Sequence, residues 1–446
     1  METTMETARP IGPLDVDADV DAQNATRKVF WRFIPLFVMC FVCSYLDRIN
    51  ISFAKLQMQS ELGLSDAIYG TGASVFFIGY FLLEVPSNII LHRVGARKWI
   101  ARIMVTWGIA SAAMMFVRDE TWFYVLRFAI GALEAGFVPG VLYFFTTWFP
   151  SERRGRCNSI FMASIPLCGI IGGPISGAIL KYFDGMHGLA GWQWLFLLEG
   201  IPSILLGVVV FFFVDDSISS ARWLTAQEKR VLQTQIANDP KAREVHSLGA
   251  SLRDPVTIML AFIYVFLAMG IYGLVFWMPQ LIKSAGTSDA LQIGIISMLP
   301  YAVAGVVMVL AGRSSDRTGE RRWHLGMSAL AGAVGYLVCG LFPSNTLILV
   351  IGLTVAATGI ITSLGLFWIL PSRFLTGIAA AGGIALINGF GQLGGIISPY
   401  MVGKVTTVSG SPALGLYAIA GACLVATLLI LWGVPRHLYL KERGQI

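Results

Sequence analysis

FIPLFVMCFVCSYLDRINISF, residues 33–53, reads as an apolar helix of membrane-spanning length that carries two charges, Asp47 and Arg48. At 1.5 Å per residue such a run extends about 30 Å, the thickness of a bilayer's hydrocarbon core. Each ionised side chain near the centre of a bilayer costs roughly 2.5–3.5 kcal/mol on insertion scales, so an acid and a base here need a compensating role. Two roles fit: a mutually neutralised structural pair, or a pathway for an anion and a proton.

The apolar run recurs along the chain. Of 446 residues, 56% are hydrophobic and 13% charged, and the mean hydropathy is +0.70. These values place the chain outside soluble globular domains and among polytopic membrane proteins. Continuous runs of about 20 apolar residues indicate helices, since barrel strands alternate over about ten. Spans are expected near residues 33–54, 68–91, 99–117, 122–147, 158–180, 193–214, 256–282, 291–311, 324–342, 346–370, 379–402 and 413–434. The fold class is therefore all-α integral membrane, with twelve transmembrane helices.

Lys and Arg crowd into alternate loops, as in Arg93, Arg97 and Lys98, then Arg153, Arg154 and Arg156, then Arg313, Arg317, Arg321 and Arg322. The other loops carry isolated residues: Lys55, Arg118, Lys181, Lys283 and Lys404. This asymmetry makes both termini cytoplasmic. It also accounts for the formal net charge of +6 without a nucleic-acid partner. Residues 1–28 are polar, with Asp15, Asp17, Asp19 and Asp21, and read as a disordered cytoplasmic tail rather than a signal peptide. The six cysteines lie in or beside apolar runs, and Cys40 and Cys43 have CxxC spacing without a second Cys or His pair, so neither a disulfide framework nor a metal site is expected.

The longest connection, 215–255, separates an N-terminal bundle (29–214) from a C-terminal bundle (256–435) that a short cytoplasmic tail (436–446) follows. Within it, Thr225 followed three residues later by Glu228 reads as a capping box opening a surface helix. The halves share a repeat. Gly312, Asp316, Arg317, Gly319, Arg321 and Arg322 follow the spacing GxxxDRxGxRR, and Asn88, His92, Arg93, Gly95, Arg97 and Lys98 stand at the same spacing after the second span. Two parallel repeats with a site between them near the midplane are the plan of alternating-access carriers.

These loops resemble the signature loop of the major facilitator superfamily. The second copy matches in full; the first has Asn88 for the usual Gly and His92 for the usual Asp. YLDRIN (45–50), GYFLLEVPSN (79–88), LRFAIGALEAG (126–136), GWQWLFLLEGIPS (191–203), FWILPSRFLTG (367–377) and INGFGQLGGIISP (387–399) further resemble the bacterial anion:cation symporters of that superfamily. That family includes carriers of tartrate, sugar acids and aromatic acids and is similar to vesicular glutamate carriers. The resemblance covers nearly the whole chain after the tail. It implies two pseudo-symmetric six-helix bundles in a bacterial inner membrane, working as a monomer without a cofactor.

A carboxylate leaving water needs a fixed cation, and a guanidinium offers two parallel hydrogen bonds. Arg48 and Arg127 are the candidates, since the directions of spans one and four place both at a similar depth. Glu134 follows Arg127 by seven residues, on the same helical face, and its proton affinity depends on whether a guanidinium is beside it. Asp47 and Glu134 are the candidate proton carriers. Tyr45, Tyr80 and Asn388, with Gln392 one turn on, are placed to read the rest of a substrate. The resemblance implies that Arg48 is the substrate ligand, that Tyr45, Tyr80 and Asn388 touch substrate, and that Asp47, Arg127 and Glu134 couple protons. Ser164 falls where relatives place a polar ligand. Tyr264, Tyr272 and Trp277, with Thr362, Ser363, Phe367 and Trp368, are expected in the C-terminal wall. Glu84 and Arg102 read as inner-gate or loop-anchoring residues and Glu199 as an anchor at the outer surface. His92, Arg93, Gly95 and Arg97, with Gly312, Asp316, Arg317, Gly319 and Arg321, form the gating loops.

The expected function is import of an organic anion, a carboxylate such as tartrate, a sugar acid or an aromatic acid, by proton symport through alternating access. The chain has no GxxxxGK[ST] loop, so a gradient must drive transport. It also has no nucleophile with a placed base, so it is not an enzyme. A non-coupled or exchange carrier and a transporter-like anion sensor stay open. Aromatic acids favour Tyr and Trp, polyhydroxy acids Asn, Gln and Ser, and both sets are present.

Overall fold

The computed structural model describes residues 13–237, 254–374, 377–435 and 439, and among them there are helices but no strands. The N-terminal half contains α1 (Pro13–Glu61), α2 (Asp66–Val94), α3 (Ala96–Ala113), α4 (Glu120–Glu134), α5 (Phe137–Trp148), α6 (Ser151–Met162), α7 (Ser164–Tyr182) and α8 (Gly191–Phe213). After the connecting helix α9 (Ala226–Ala237), the C-terminal half contains α10 (Pro255–Ser284), α11 (Ala290–Thr318), α12 (Arg322–Leu341), α13 (Thr346–Phe367), α14 (Ile369–Phe374), α15 (Gly377–Ser409) and α16 (Ala413–Leu428). Among the described residues, eleven segments are long and apolar enough to cross a membrane, and the remaining expected span, 379–402, lies within α15. Span four is two helices, α4 and α5, broken at Ala135 and Gly136, whose φ of 90° suits glycine.

α1 begins at Pro13, so residues 13–28 are helical and not part of a disordered tail. Proline is favoured in a first helical turn. Residues 1–12, 238–253 and most of 436–446 lie outside the described residues. α1 also runs on past the expected end of the first span, which takes Lys55 out of a loop and buries it.

The capping box of α9 forms as expected: Thr225 N donates to Glu228 Oε2 (2.8 Å) and Glu228 N donates to Thr225 Oγ1 (3.2 Å). Lys28 Nζ donates to Glu228 Oε1 (2.5 Å), tying α9 to α1. Burial alone would raise the Glu228 carboxyl, but the bonds from Lys28 and Thr225 outweigh it and hold it below its ordinary value. A depressed folded-state value means that this stabilisation is present above the unfolded value and is lost as pH falls through the folded one. Hydrogen exchange of α9 amides should therefore quicken in acid relative to the rest of the protein, and Lys28→Met should flatten that dependence.

The two halves are fastened on the side away from α9. Backbones meet where Gly70 faces Pro399, Gly173 faces Gly294 and Gly177 faces Ala290, each without room for a Cβ. Tyr69 OH donates to Phe276 O (2.8 Å), Lys283 Nζ donates to Leu56 O (2.6 Å), and Lys181 pairs with Asp289 (2.6 Å). Lys55 pairs with Asp66 (2.6 Å) and lies 3.8 Å from the centroid of the Trp277 ring in the other half. Toward α9, the described cross-half bonds end at Asn388 and Glu84. Overpacking a close backbone crossing costs about 1–3 kcal/mol, a population shift of roughly fivefold or more. Gly173→Val should therefore reduce crosslinking between Lys181→Cys and Asp289→Cys by a short bifunctional reagent, and unchanged crosslinking would contradict this closure.

Candidate functional site

Glu134 is the last residue of α4 and Arg48 faces it from α1. Arg48 Nη2 lies 2.5 Å from Glu134 Oε1, and Ser44 Oγ donates to the same oxygen at 2.8 Å. The Glu134 side chain is 1% exposed and that of Arg48 13%, so one partner is sealed in protein while the other keeps a window. Arg48 Cζ lies 5.3 Å from the Phe76 ring and 5.4 Å from the Tyr80 ring, and Tyr272 of the C-terminal half is near Arg48.

Arg127 lies at the depth of Arg48, its Cζ 4.9 Å from the same Phe76 ring. It is fully buried, Nε donates to Gly72 O (3.3 Å), and neither terminal nitrogen has a hydrogen-bond partner among the described residues. The guanidinium that Glu134 pairs with is that of Arg48 and not that of Arg127 on its own helix. Seven residues advance a helix by about 10.5 Å, too far for a side-chain ion pair within α4, whereas α1 crosses beside its end.

Asp47 and Arg48 do not neutralise each other. Consecutive helical residues point about 100° apart, and Asp47 turns toward α3 and α8. There it accepts from Trp107 Nε1 (2.9 Å), Ser111 Oγ (2.7 Å) and Ser203 Oγ (2.6 Å). Glu199 is not a surface anchor: it is buried, accepts from Ser176 Oγ (2.8 Å) and lies beside Asn50. It sits two turns inside α8, on the face packed against α7. Ser44, Trp107, Ser111 and Ser203 are the partners that sequence reasoning missed. Small hydroxyls inside apolar runs were the available signal, Ser44 lying three and four residues before Asp47 and Arg48.

Across the opening, Asn388 Nδ2 donates to Glu84 Oε1 (3.1 Å), so Glu84 meets the C-terminal half rather than the basic loops. Trp368 packs on Tyr264 at 5.0 Å between centroids, and buried Tyr45 lies near Arg48, Tyr272 and Tyr301. Ser164 is buried, and its hydroxyl donates to Ile160 O (3.3 Å). Arg102 stacks on Trp99, 3.8 Å from the ring centroid.

In the first signature loop, Gly95 has φ 95° and lies against Asp216, which accepts from Arg97 N (2.9 Å). His92 packs on the Tyr143 ring (4.0 Å), and Arg93 is exposed. In the second, Asp316 pairs with Arg321 (3.3 Å), Gly319 has φ 68°, Arg317 is exposed, and Gly312 has open space around it. Among the described residues no cluster of His, Cys, Asp and Glu could hold a metal ion.

Two bundles, each with a signature loop between its second and third spans, and a charged cluster at their junction describe one architecture. The family model described as Major Facilitator Superfamily matches residues 37–399. This chain belongs to the Major Facilitator Superfamily. It is a multi-pass membrane transporter and not an enzyme. It is 43% identical over 424 residues to the "Putative metabolite transport protein NicT" of Pseudomonas putida, covering 95% of this chain and 97% of that protein. It is 44% identical over 418 residues to a "Putative tartrate transporter" of Agrobacterium vitis, covering 93% and 92%. The xylose transporter XylE from E. coli, solved in a partially occluded inward open conformation, shares the fold with a TM-score of 0.73 at 15% identity, covering 94% of this chain and 99% of that one.

Hydrogen bonds to charged groups contribute about 1.5–3 kcal/mol each. Ser111→Ala and Ser203→Ala should each lower thermal stability in detergent by that order, and more together than Ser164→Ala, whose hydroxyl bonds only a backbone carbonyl four residues earlier.

Proposed function

We propose that this carrier imports an organic anion, a carboxylate such as tartrate, a sugar acid or an aromatic acid, by proton symport through alternating access. It works as a monomer in a bacterial inner membrane, with both termini cytoplasmic and α9 on the cytoplasmic face. The observation that carries the reading is the ion pair between Arg48 and Glu134, with Arg48 partly open and Glu134 sealed. The relatives named for tartrate and metabolite transport support the substrate class.

A substrate carboxylate and Glu134 compete for one guanidinium. Breaking a buried pair by removing one partner costs about 3–5 kcal/mol, roughly two to four powers of ten in affinity. A proton on Glu134 removes its claim without moving any helix, so cargo and proton bind together and an unprotonated Glu134 displaces the cargo. Arg127, with its unpartnered terminal nitrogens, keeps positive charge beside the site while Arg48 changes partners. Asp47 is a second proton carrier in this reading, held by neutral donors and free of any ion pair among the described residues. Tyr45, Tyr80, Ser164, Tyr272, Asn388 and Trp368 shape the anion's surroundings.

Reconstituted in liposomes, the protein should take up protons when substrate is supplied. Glu134→Gln should abolish accumulation against a gradient while counterflow of labelled substrate persists, and Arg48→Ala should abolish both. Accumulation surviving in Glu134→Gln would remove that residue from coupling, and a wild type without counterflow would point to an anion sensor instead.

A further inference from the structure

Glu199 has no place in the scheme above. It is a third buried carboxyl of the N-terminal half, and like Asp47 it has no ion pair among the described residues. α1 and α8 meet there in two polar rungs. In the first, Ser203 Oγ of α8 donates to Asp47 Oδ2 of α1 (2.6 Å). In the second, one turn further from α9, Asn50 lies near Glu199. Asn50 follows Asp47 by three residues and Glu199 precedes Ser203 by four, so each helix presents its pair on one face.

The rungs differ in what they supply to a carboxyl. An ionised carboxylate is acceptor-only, with about four lone-pair sites. Asp47 accepts from Trp107, Ser111 and Ser203 and is furnished as an ionised group. Glu199 accepts from Ser176 Oγ (2.8 Å), while its Oε2 has no hydrogen-bond partner among the described residues. Asn50 beside it is fully buried, and neither its Oδ1 nor its Nδ2 has a partner among the described residues. A proton on Oε2 resolves both, since the new O–H donates to the amide oxygen and no poorly solvated charge is left. Of the titratable groups facing the rungs, Cys43 of α1 is near both carboxyls and Glu134 of α4 is near Asp47. α3 and α7 bring Trp107, Ser111 and Ser176, which are neutral donors.

We propose that Glu199 binds a resident proton, held against the Asn50 amide, so that of the two rungs only Asp47 carries charge and exchanges a proton in the cycle. This rests on the reading that Asp47 is a proton carrier. Glu134 is paired with Arg48 and therefore ionised, and Asp47 is furnished as ionised, so both carriers are discharged in the arrangement in which Glu199 keeps its proton. An ionised Glu199 would set a like charge one turn from Asp47 at low dielectric constant, which disfavours ionising both. The proton comes from water and forms one O–H bond, and no other bond changes. The buried core between α1, α3, α4 and α8 then offers two cycling carboxyls, Glu134 and Asp47, and not three.

Infrared difference spectra of the purified full-length protein in lipid bilayers, recorded as pH is stepped, read each protonated carboxyl by its carbonyl stretch. The wild type at neutral pH should hold a band that Glu199→Gln lacks and Asp47→Asn keeps, and Asn50→Ala should shift that band to higher frequency by removing its hydrogen bond. A second band, absent from Asp47→Asn, should grow in on acidification with the same midpoint in wild type and Glu199→Gln, since both present a neutral group at the second rung. The same neutral-pH spectrum in Glu199→Gln and wild type overturns the inference. So does an Asp47 midpoint that moves by about one pH unit or more in Glu199→Gln, the mark of a like charge removed. Should Glu199→Gln not fold, an unshifted band in Asn50→Ala overturns it instead. Spectra that Asp47→Asn leaves unchanged at every pH overturn the reading of Asp47 as a proton carrier, while the band of Glu199 still decides whether its proton is resident.

Discussion

The ion pair between Arg48 and Glu134 is the constraint around which the N-terminal half is built. Two desolvated charges in a bilayer are tolerable only if each finds the other. α4 ends at Glu134, which places a carboxylate at the negative end of a helix dipole, an unfavourable position unless a cation is at hand. α1 supplies that cation together with the Ser44 hydroxyl. The break at Ala135 and Gly136 then lets α5 resume without carrying Glu134 out of reach. The same pair holds the one partly exposed guanidinium in the site, so structural neutralisation and the proposed exchange of anions use the same atoms.

A second constraint is the closure between halves. Helices in lipid lack a hydrophobic drive to associate and rely on close backbone approach, for which glycine is suited. The crossings at Gly70, Gly173 and Gly177 fall on the side away from α9, together with the Lys55, Lys181 and Lys283 contacts. Lys55 pairs with Asp66 of its own half and lays its ammonium on the Trp277 ring of the other, so the ring contact forms only when the halves meet. An arrangement fastened at one end and joined at the other, among the described residues, by the bond between Glu84 and Asn388 is suited to rocking about the charged cluster.

The charged residues of the site were legible because charge is rare inside apolar runs, and Arg48, Asp47, Arg127 and Glu134 stand out on that ground alone. Their partners were less legible. A serine in an apolar helix bonds equally well to its own backbone, as Ser164 does, or to a neighbour's carboxylate, as Ser111 and Ser203 do, and spacing along one helix does not separate the cases. Glu199 and Lys55 looked like edge residues because they fall near the ends of apolar runs; the helices that cover them come from elsewhere in the chain. The start of α1 at Pro13 was hidden by an acidic composition that suits a disordered tail and a helix N-terminus alike.

What the sequence by itself determined is the class: twelve apolar spans, two halves joined by a polar connection, paired signature loops and a small set of intramembrane charges. Those features follow from composition and period, which the bilayer imposes on each segment separately. Which charge pairs with which was decided only by tertiary structure, because Asp47 and Arg48 turn to different neighbours and Glu134 is out of reach of Arg127 along its own helix. An ion pair is a statement about a few ångströms between different helices, and no single helix's sequence carries that distance.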